Sequence, residues 1–264
     1  MPAKFAANLS WMFKEHELLA DRYKAAADAG FKAVESADLT DLPLETLVAA
    51  KEAAGVEQVL MNGWSGDMAK GDRGVAAVPG REAAFRDSLE KSITYCKALK
   101  CSRMHVIAGR ITEAHSEEEM RKVYVANLRY ASARLAEFNI LALIEPINSK
   151  TAIPNYLLDT VDKAMSIIDE VGHPNLKMQL DLYHTQIMHG DLTATIKRCL
   201  PYVGHIQISQ IPDRHEPDSP GEVNYAYIIT LLEREGYEGY IGAEYTPAGR
   251  TSDGLAWVHA YSMT

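Results

Sequence analysis

Short runs of apolar and β-branched residues alternate along this chain with longer stretches whose apolar positions recur every three or four residues. The first pattern suits strands and the second amphipathic helices, so their regular alternation predicts repeated strand–helix units around a parallel sheet. Strands are expected at residues 5–8, 33–36, 58–62, 104–107, 140–145, 176–181, 204–209 and 240–244. Helices are expected over 17–29, 44–54, 81–99, 117–138, 159–171, 192–199 and 225–235, with a short final one from Gly254. Ala29-Gly30 supplies a C-terminal stop, and Ser116 followed by three glutamates supplies a capping box. No Pro/Ser-rich linker interrupts the series. The expectation is an α/β fold, a (β/α)8 TIM barrel forming one domain over residues 1–264, because such barrels need roughly 250 residues.

Strand parity adds chemistry to this outline, since successive side chains face opposite sides. In the seventh strand Ile206 and Ile208 share the face that covers the helices, which leaves His205, Gln207 and Ser209 toward the barrel axis. In the sixth, Asp181 shares the inner face with Gln179 and Lys177. A purely structural interior would carry branched apolar residues there.

Four of the apolar runs end on a polar residue: Glu145, Asp181, Gln207 and Glu244, separated by 36, 26 and 37 residues. Each gap is near one strand–helix unit, so in a closed barrel the four oxygens converge at the C-terminal mouth, where such barrels place their chemistry. Three carboxylates and an amide form a hard oxygen set, which suits Mg²⁺ or Mn²⁺ better than a thiophilic metal. Two connections, 63–80 and 210–221, are longer than barrel loops usually are, and both follow strands, so both are expected to hang over that mouth.

Composition narrows the class. The 27 basic and 36 acidic residues give a net charge of −9, which opposes a nucleic-acid partner, since such proteins usually carry a basic face. Apolar residues make up 47% of the chain, yet no stretch approaches the roughly 20 needed to cross a membrane, and the start lacks the apolar region of a secretory signal. Cys96, Cys101 and Cys199 form neither a Cys-x-x-Cys pair nor a zinc spacing, so free thiols are expected. These features lead to the expectation of a cytoplasmic protein with no membrane partner; a homo-oligomer is compatible with them.

Several segments carry a family resemblance: Phe5-Ala-Ala-Asn-Leu-Ser10, Val78-Pro-Gly-Arg81, Glu145-Pro-Ile-Asn148, Asp181-Leu-Tyr-His184, Gly204-His-Ile-Gln207, Pro212-Asp-Arg-His-Glu-Pro217, Pro220-Gly-Glu-Val-Asn-Tyr225 and Gly242-Ala-Glu-Tyr245. Together they resemble hydroxypyruvate isomerases, a family within the xylose-isomerase-like TIM barrels. The resemblance implies reversible interconversion of hydroxypyruvate and tartronate semialdehyde (2-hydroxy-3-oxopropanoate), with Glu145 and Glu244 as the proton donor and acceptor. It also implies a divalent metal at the positions of Glu145, Asp181, Gln207 and Glu244, and no organic cofactor. Two departures stand out. Ketose 3-epimerases of the same group usually have histidine where Gln207 stands, and residues 33–40 are shorter and more polar than the aromatic-rich run expected after the second strand.

The reaction passes through an enediolate, so a base alone leaves a developing anion unstabilised, whereas a cation beside both oxygens stabilises it. Arg214 is expected to hold the carboxylate of the small hydroxy-oxo acid substrate in bidentate fashion. His184 is expected on a substrate oxygen, Asn8 at the end of the first strand, Trp64 as a lid or wall, and His205 behind Gln207. Rival readings are a 2-oxo-tetronate isomerase or ketose 3-epimerase of the same superfamily, an apurinic endonuclease, and a non-catalytic sugar-acid-binding barrel. The endonuclease needs more metal ligands and a basic face.

Overall fold

In the computed structural model, which describes residues 2–262, eight parallel strands hydrogen-bond in chain order and the last pairs with the first. The strands are β1 (Lys4–Asn8), β2 (Ala33–Ser36), β3 (Glu57–Asn62), β4 (Arg103–His105), β5 (Leu141–Ile144), β6 (Leu176–Asp181), β7 (Val203–Ile208) and β8 (Tyr240–Ala243). Around them lie α1 (Leu19–Asp28), α2 (Leu44–Ala54), α3 (Glu82–Leu99), α4 (Glu117–Ala136), α5 (Val161–Val171), α6 (Leu182–Met188), α7 (Leu192–Cys199), α8 (Tyr225–Arg234) and α9 (Ala256–Ser262). The expected (β/α)8 barrel is therefore the fold.

Local chemistry accounts for the elements. In α5 the buried residues Val161, Ala164, Ile167, Ile168 and Val171 recur at helical spacing and form one stripe against the sheet. The capping box at α4 is present: the Ser116 hydroxyl accepts from the Glu119 N–H, and the Glu119 carboxylate accepts from the Ser116 N–H at 2.9 Å. None of the three cysteines is paired.

Three details differ from the sequence pattern and bear on the mouth. Strands β5 and β8 stop one residue early, so Glu145 and Glu244 lie just beyond the ladder, where the backbone is free to turn a carboxylate over the barrel axis. Helix α6 begins immediately after Asp181, a helix the pattern does not predict; the Asp181 carboxylate caps it by accepting the Tyr183 N–H at 2.8 Å. Gln207 lies inside β7 rather than at its end, opposite Asp181 in the ladder.

The barrel interior is layered. Ala6, Ala33, Val59, Leu60 and Leu143 form an apolar cluster, with Leu141 and Tyr240 packed against it. Another layer is polar and built on Glu35, a wholly buried carboxylate on β2. Gly242 on β8 makes room for it: a Cβ there would sit 2.1 Å from Glu35 Oε2.

Candidate active site at the barrel mouth

Glu145, His184, Arg214 and Glu244 line one cavity of about 360 Å³ at the C-terminal mouth, within the range of small-molecule sites. The first long loop contributes Ser65, Met68 and Arg73 to its wall. The second contributes Arg214, whose left-handed backbone (φ 57°) is held by the Arg214 N–H donating to Gln210 O and the Thr246 N–H donating to Arg214 O. That turn sends the guanidinium inward, where it stacks between the rings of Trp11 and Tyr183, 4.3 and 4.7 Å from their centroids.

Arg214 Nη2 donates to Glu244 Oε2 at 2.6 Å and to Asp181 Oδ2 at 3.3 Å, so the cation ties the ends of β6 and β8 together. Nη1 makes no hydrogen bond among the described residues. Although burial works against its charge, Glu244 and Asp181 hold the guanidinium above its ordinary value.

Glu145 is 4% exposed. Its proton affinity is raised well above that of an ordinary carboxylate, first by burial and then by the charges of Glu244 and Asp181. Glu244 is pushed up to about 8, chiefly by burial, with Arg214 pulling the other way. His184 Nε2 lies 3.5 Å from Asp181 Oδ2 and 3.7 Å from Glu145 Oε1, while Asn148 Nδ2 sits 2.8 Å from its Nδ1. Burial pushes His184 down to about 4, against the opposing charge of Asp181, so its ring is neutral at pH 7.

Glu145, Asp181 and His184 offer ligand atoms all within 4.8 Å of one another, close enough to hold a metal ion. Glu244 lies outside that trio. Gln207 is otherwise engaged: its Oε1 accepts from Gln179 Nε2 at 2.7 Å and its Nε2 donates to Glu35 Oε1 at 2.7 Å. Both ends of its amide are thus engaged in the polar layer around Glu35.

The other sequence-named residues also find their places. Asn8 donates to Glu35 Oε1 at 2.9 Å and to Glu244 Oε1 at 3.2 Å. His205 Nε2 meets Glu35 Oε2 at 2.6 Å, in the layer under Gln207. Trp64 is not on the cavity: while its neighbour Ser65 lines the cavity, Trp64 faces a separate crevice with Phe85 and Leu89 and lies under Arg81. Trp11 occupies the wall expected of it.

Several residues at the site escaped the sequence reading. Glu35 sits in the segment noted only as unusually polar; a glutamate on the same face as Ala33 in a buried strand was the available signal. His105, at the end of β4, lines the cavity with its Nδ1 3.3 Å from Glu145 Oε2, and neither ring nitrogen has a hydrogen-bond partner among the described residues. Burial holds it neutral, down to about 3. Arg73 and Trp11 carried no local signal at all.

Fold and site together define a metal-capable barrel of the xylose isomerase type, and the family model described as xylose isomerase-like TIM barrel matches residues 23–261. A 2-oxo-tetronate isomerase of Cupriavidus necator is 43% identical, covering 98% of this chain and 98% of the relative. The hydroxypyruvate isomerase of Escherichia coli (strain K12) is 40% identical over 98% and 99% of the two chains. A crystal structure titled AP endonuclease, family 2, from Brucella melitensis superposes with a TM-score of 0.94 at 42% identity, covering 99% of this chain and all of that one. Within the xylose isomerase-like barrels, the chain belongs to the hydroxypyruvate isomerase family.

Proposed function

We propose that this protein interconverts hydroxypyruvate and 2-hydroxy-3-oxopropanoate, with Glu145 and Glu244 moving the proton. The observation that carries the reading is the pair itself. Two carboxylates from the ends of β5 and β8 face one cavity, and burial first, then neighbouring carboxylate charge (Glu244 and Asp181 on Glu145, Asp181 and Glu35 on Glu244), raises the proton affinity of both, so one readily holds a proton while the other is ionised. Such a pair can act as base and acid together.

In the forward direction one carboxylate removes a proton from C3 of hydroxypyruvate, and the C3–H electron pair forms the C2–C3 double bond of the enediolate. The other returns a proton to C2, while the proton of the C3 hydroxyl passes to the oxygen on C2, leaving an aldehyde at C3. Atoms and charge balance without a redox cofactor. Arg214 supplies a planar cation for the substrate carboxylate through the edge at Nη1, with Trp11 and Tyr183 holding its plane. His184 contacts a substrate oxygen.

The donor set fits a divalent cation: Glu145 and Asp181 supply oxygens within reach of each other, as Mg²⁺ or Mn²⁺ requires. When bound, such an ion supplies electrostatic stabilisation of the enediolate oxygens.

A four-carbon 2-oxo acid is the second reading, favoured by the 43% identity to a 2-oxo-tetronate isomerase. Turnover measured with three-, four- and six-carbon substrates separates the two, and a marked preference for a six-carbon ketose sinks both. Nicking of abasic DNA would support the endonuclease reading instead; the charge of −9 speaks against it.

A further inference from the structure

Asn148 is wholly buried three residues beyond Glu145, and both ends of its side-chain amide are engaged. Its Oδ1 accepts from the Thr151 N–H at 2.8 Å, the Ala152 N–H at 3.1 Å and the Thr151 hydroxyl at 2.9 Å. Rotating the amide by half a turn would bring its own N–H groups against two backbone donors, losing those bonds and adding repulsion. Backbone hydrogen bonds therefore determine which end faces His184, and that end is the donor, 2.8 Å from Nδ1. A nitrogen receiving a hydrogen bond carries no proton, so the single proton of the neutral ring is on Nε2. An imidazolium is excluded by the same contact, since it would place N–H against N–H.

Nε2 in turn faces Asp181 Oδ2 at 3.5 Å and Glu145 Oε1 at 3.7 Å, too far for direct hydrogen bonds, and it borders the cavity. We propose that Asn148 is a positioning residue that locks His184 in the Nε2–H tautomer, so that His184 offers a hydrogen-bond donor to a substrate oxygen and does not ligate a cation. The cation seat is then built on oxygens, with the Glu145 and Asp181 carboxylates within reach of one another. An all-oxygen seat suits a hard ion such as Mg²⁺. In the reaction the Nε2–H stabilises charge on an enediolate oxygen; this consequence rests on the isomerase reading, whereas the tautomer does not.

Long-range ¹H–¹⁵N correlation spectra of the ¹⁵N-histidine-labelled protein read the tautomer directly, with the His184 signals assigned by their loss in His184→Gln. The expected result is a protonated Nε2 and a bare Nδ1, unchanged when Mg²⁺ is added. A proton on Nδ1, or loss of the Nε2 proton on adding Mg²⁺, overturns the proposal. Asn148→Asp keeps an acceptor for the Thr151 and Ala152 N–H groups but sets a carboxylate oxygen against Nδ1. Its ring should gain the Nδ1 proton, and kcat should fall on the order of 10²-fold, the scale of removing one oriented donor, with a smaller change in KM. A ring still bare at Nδ1, or an undiminished kcat, counts against the lock. Should wild-type protein leave hydroxypyruvate unchanged, the activity reading fails while the tautomer result stands.

Discussion

Gln179 and Glu145 meet inside the barrel, the Gln179 amide donating to Glu145 Oε2 at 2.9 Å while its other hydrogen goes to Gln207 Oε1. From Gln207 the hydrogen bonds continue to Glu35, then to Asn8 and up to Glu244 Oε1. The two mouth carboxylates thus hang at opposite ends of one buried chain of amides around Glu35. Each has one oxygen held from below, and the other is directed toward His184 or Arg214.

Replacing Gln179 with Leu keeps the volume but strips a donor from both Glu145 Oε2 and Gln207 Oε1. Leaving buried acceptors unsatisfied should lower stability by about 1–3 kcal/mol, measured by urea unfolding. The freed Glu145 should also lose orientation, so kcat should drop more than KM rises. An unchanged kcat would show that the held oxygen is dispensable.

Glu145→Gln and Glu244→Gln should each reduce turnover of hydroxypyruvate by ~10²–10⁴-fold, the usual contribution of a general acid or base. A variant that keeps more than about a tenth of wild-type kcat does not fill that role. Retention of folding is checked by circular dichroism on the same samples.

The raised carboxylates make the cation-free protein sensitive to pH, and the direction follows from proton binding. Glu244 is pushed from 4.5 to about 8 on folding, so the native state binds more protons than the unfolded chain between those values. Its stabilising contribution is complete below about 4.5 and is lost as pH rises through about 8. In chelator-treated samples the Tm of Glu244→Gln relative to wild type should therefore climb steadily from pH 5 to pH 8. A gap that stays flat or narrows contradicts the raised affinity.

Gly242→Ala tests whether Glu35 has room to spare. The new methyl would lie 2.1 Å from the Glu35 carboxylate, which is anchored by Asn8, Gln207 and His205. Overpacking of this kind should destabilise the fold by about 1–3 kcal/mol in denaturant titration. Because the carboxylate must shift, Asn8 and Glu244 should move with it and activity should fall as well.

Much of this was legible in the chain itself. The alternation of strand and helix patterns is a local property, set by which side chains suit a pleat and which suit a helical face, so it yields the eight units and their order. Parity is equally local, and it correctly turned Gln179, His205 and Gln207 toward the axis. The strand-end positions of Glu145, Asp181 and Glu244 followed from the same reasoning.

What only the tertiary structure decided is who holds each of those groups. Glu35 meets Gln207 and His205 across 172 and 170 positions of sequence, and Asn8 meets Glu244 across 236, because barrel closure sets β1 between β2 and β8. Gln207 faced inward as expected, yet Gln179 and Glu35 claimed both ends of its amide. Trp11 and not Trp64 lines the wall, because Trp64 packs in a crevice with Phe85 and Leu89 under Arg81, a contact no local pattern shows. Asn148 looked like one residue of a motif until the turn behind it fixed its amide. The sequence by itself determined which side chains enter the barrel; closure and the competition for hydrogen bonds determined which of their atoms were left to do chemistry.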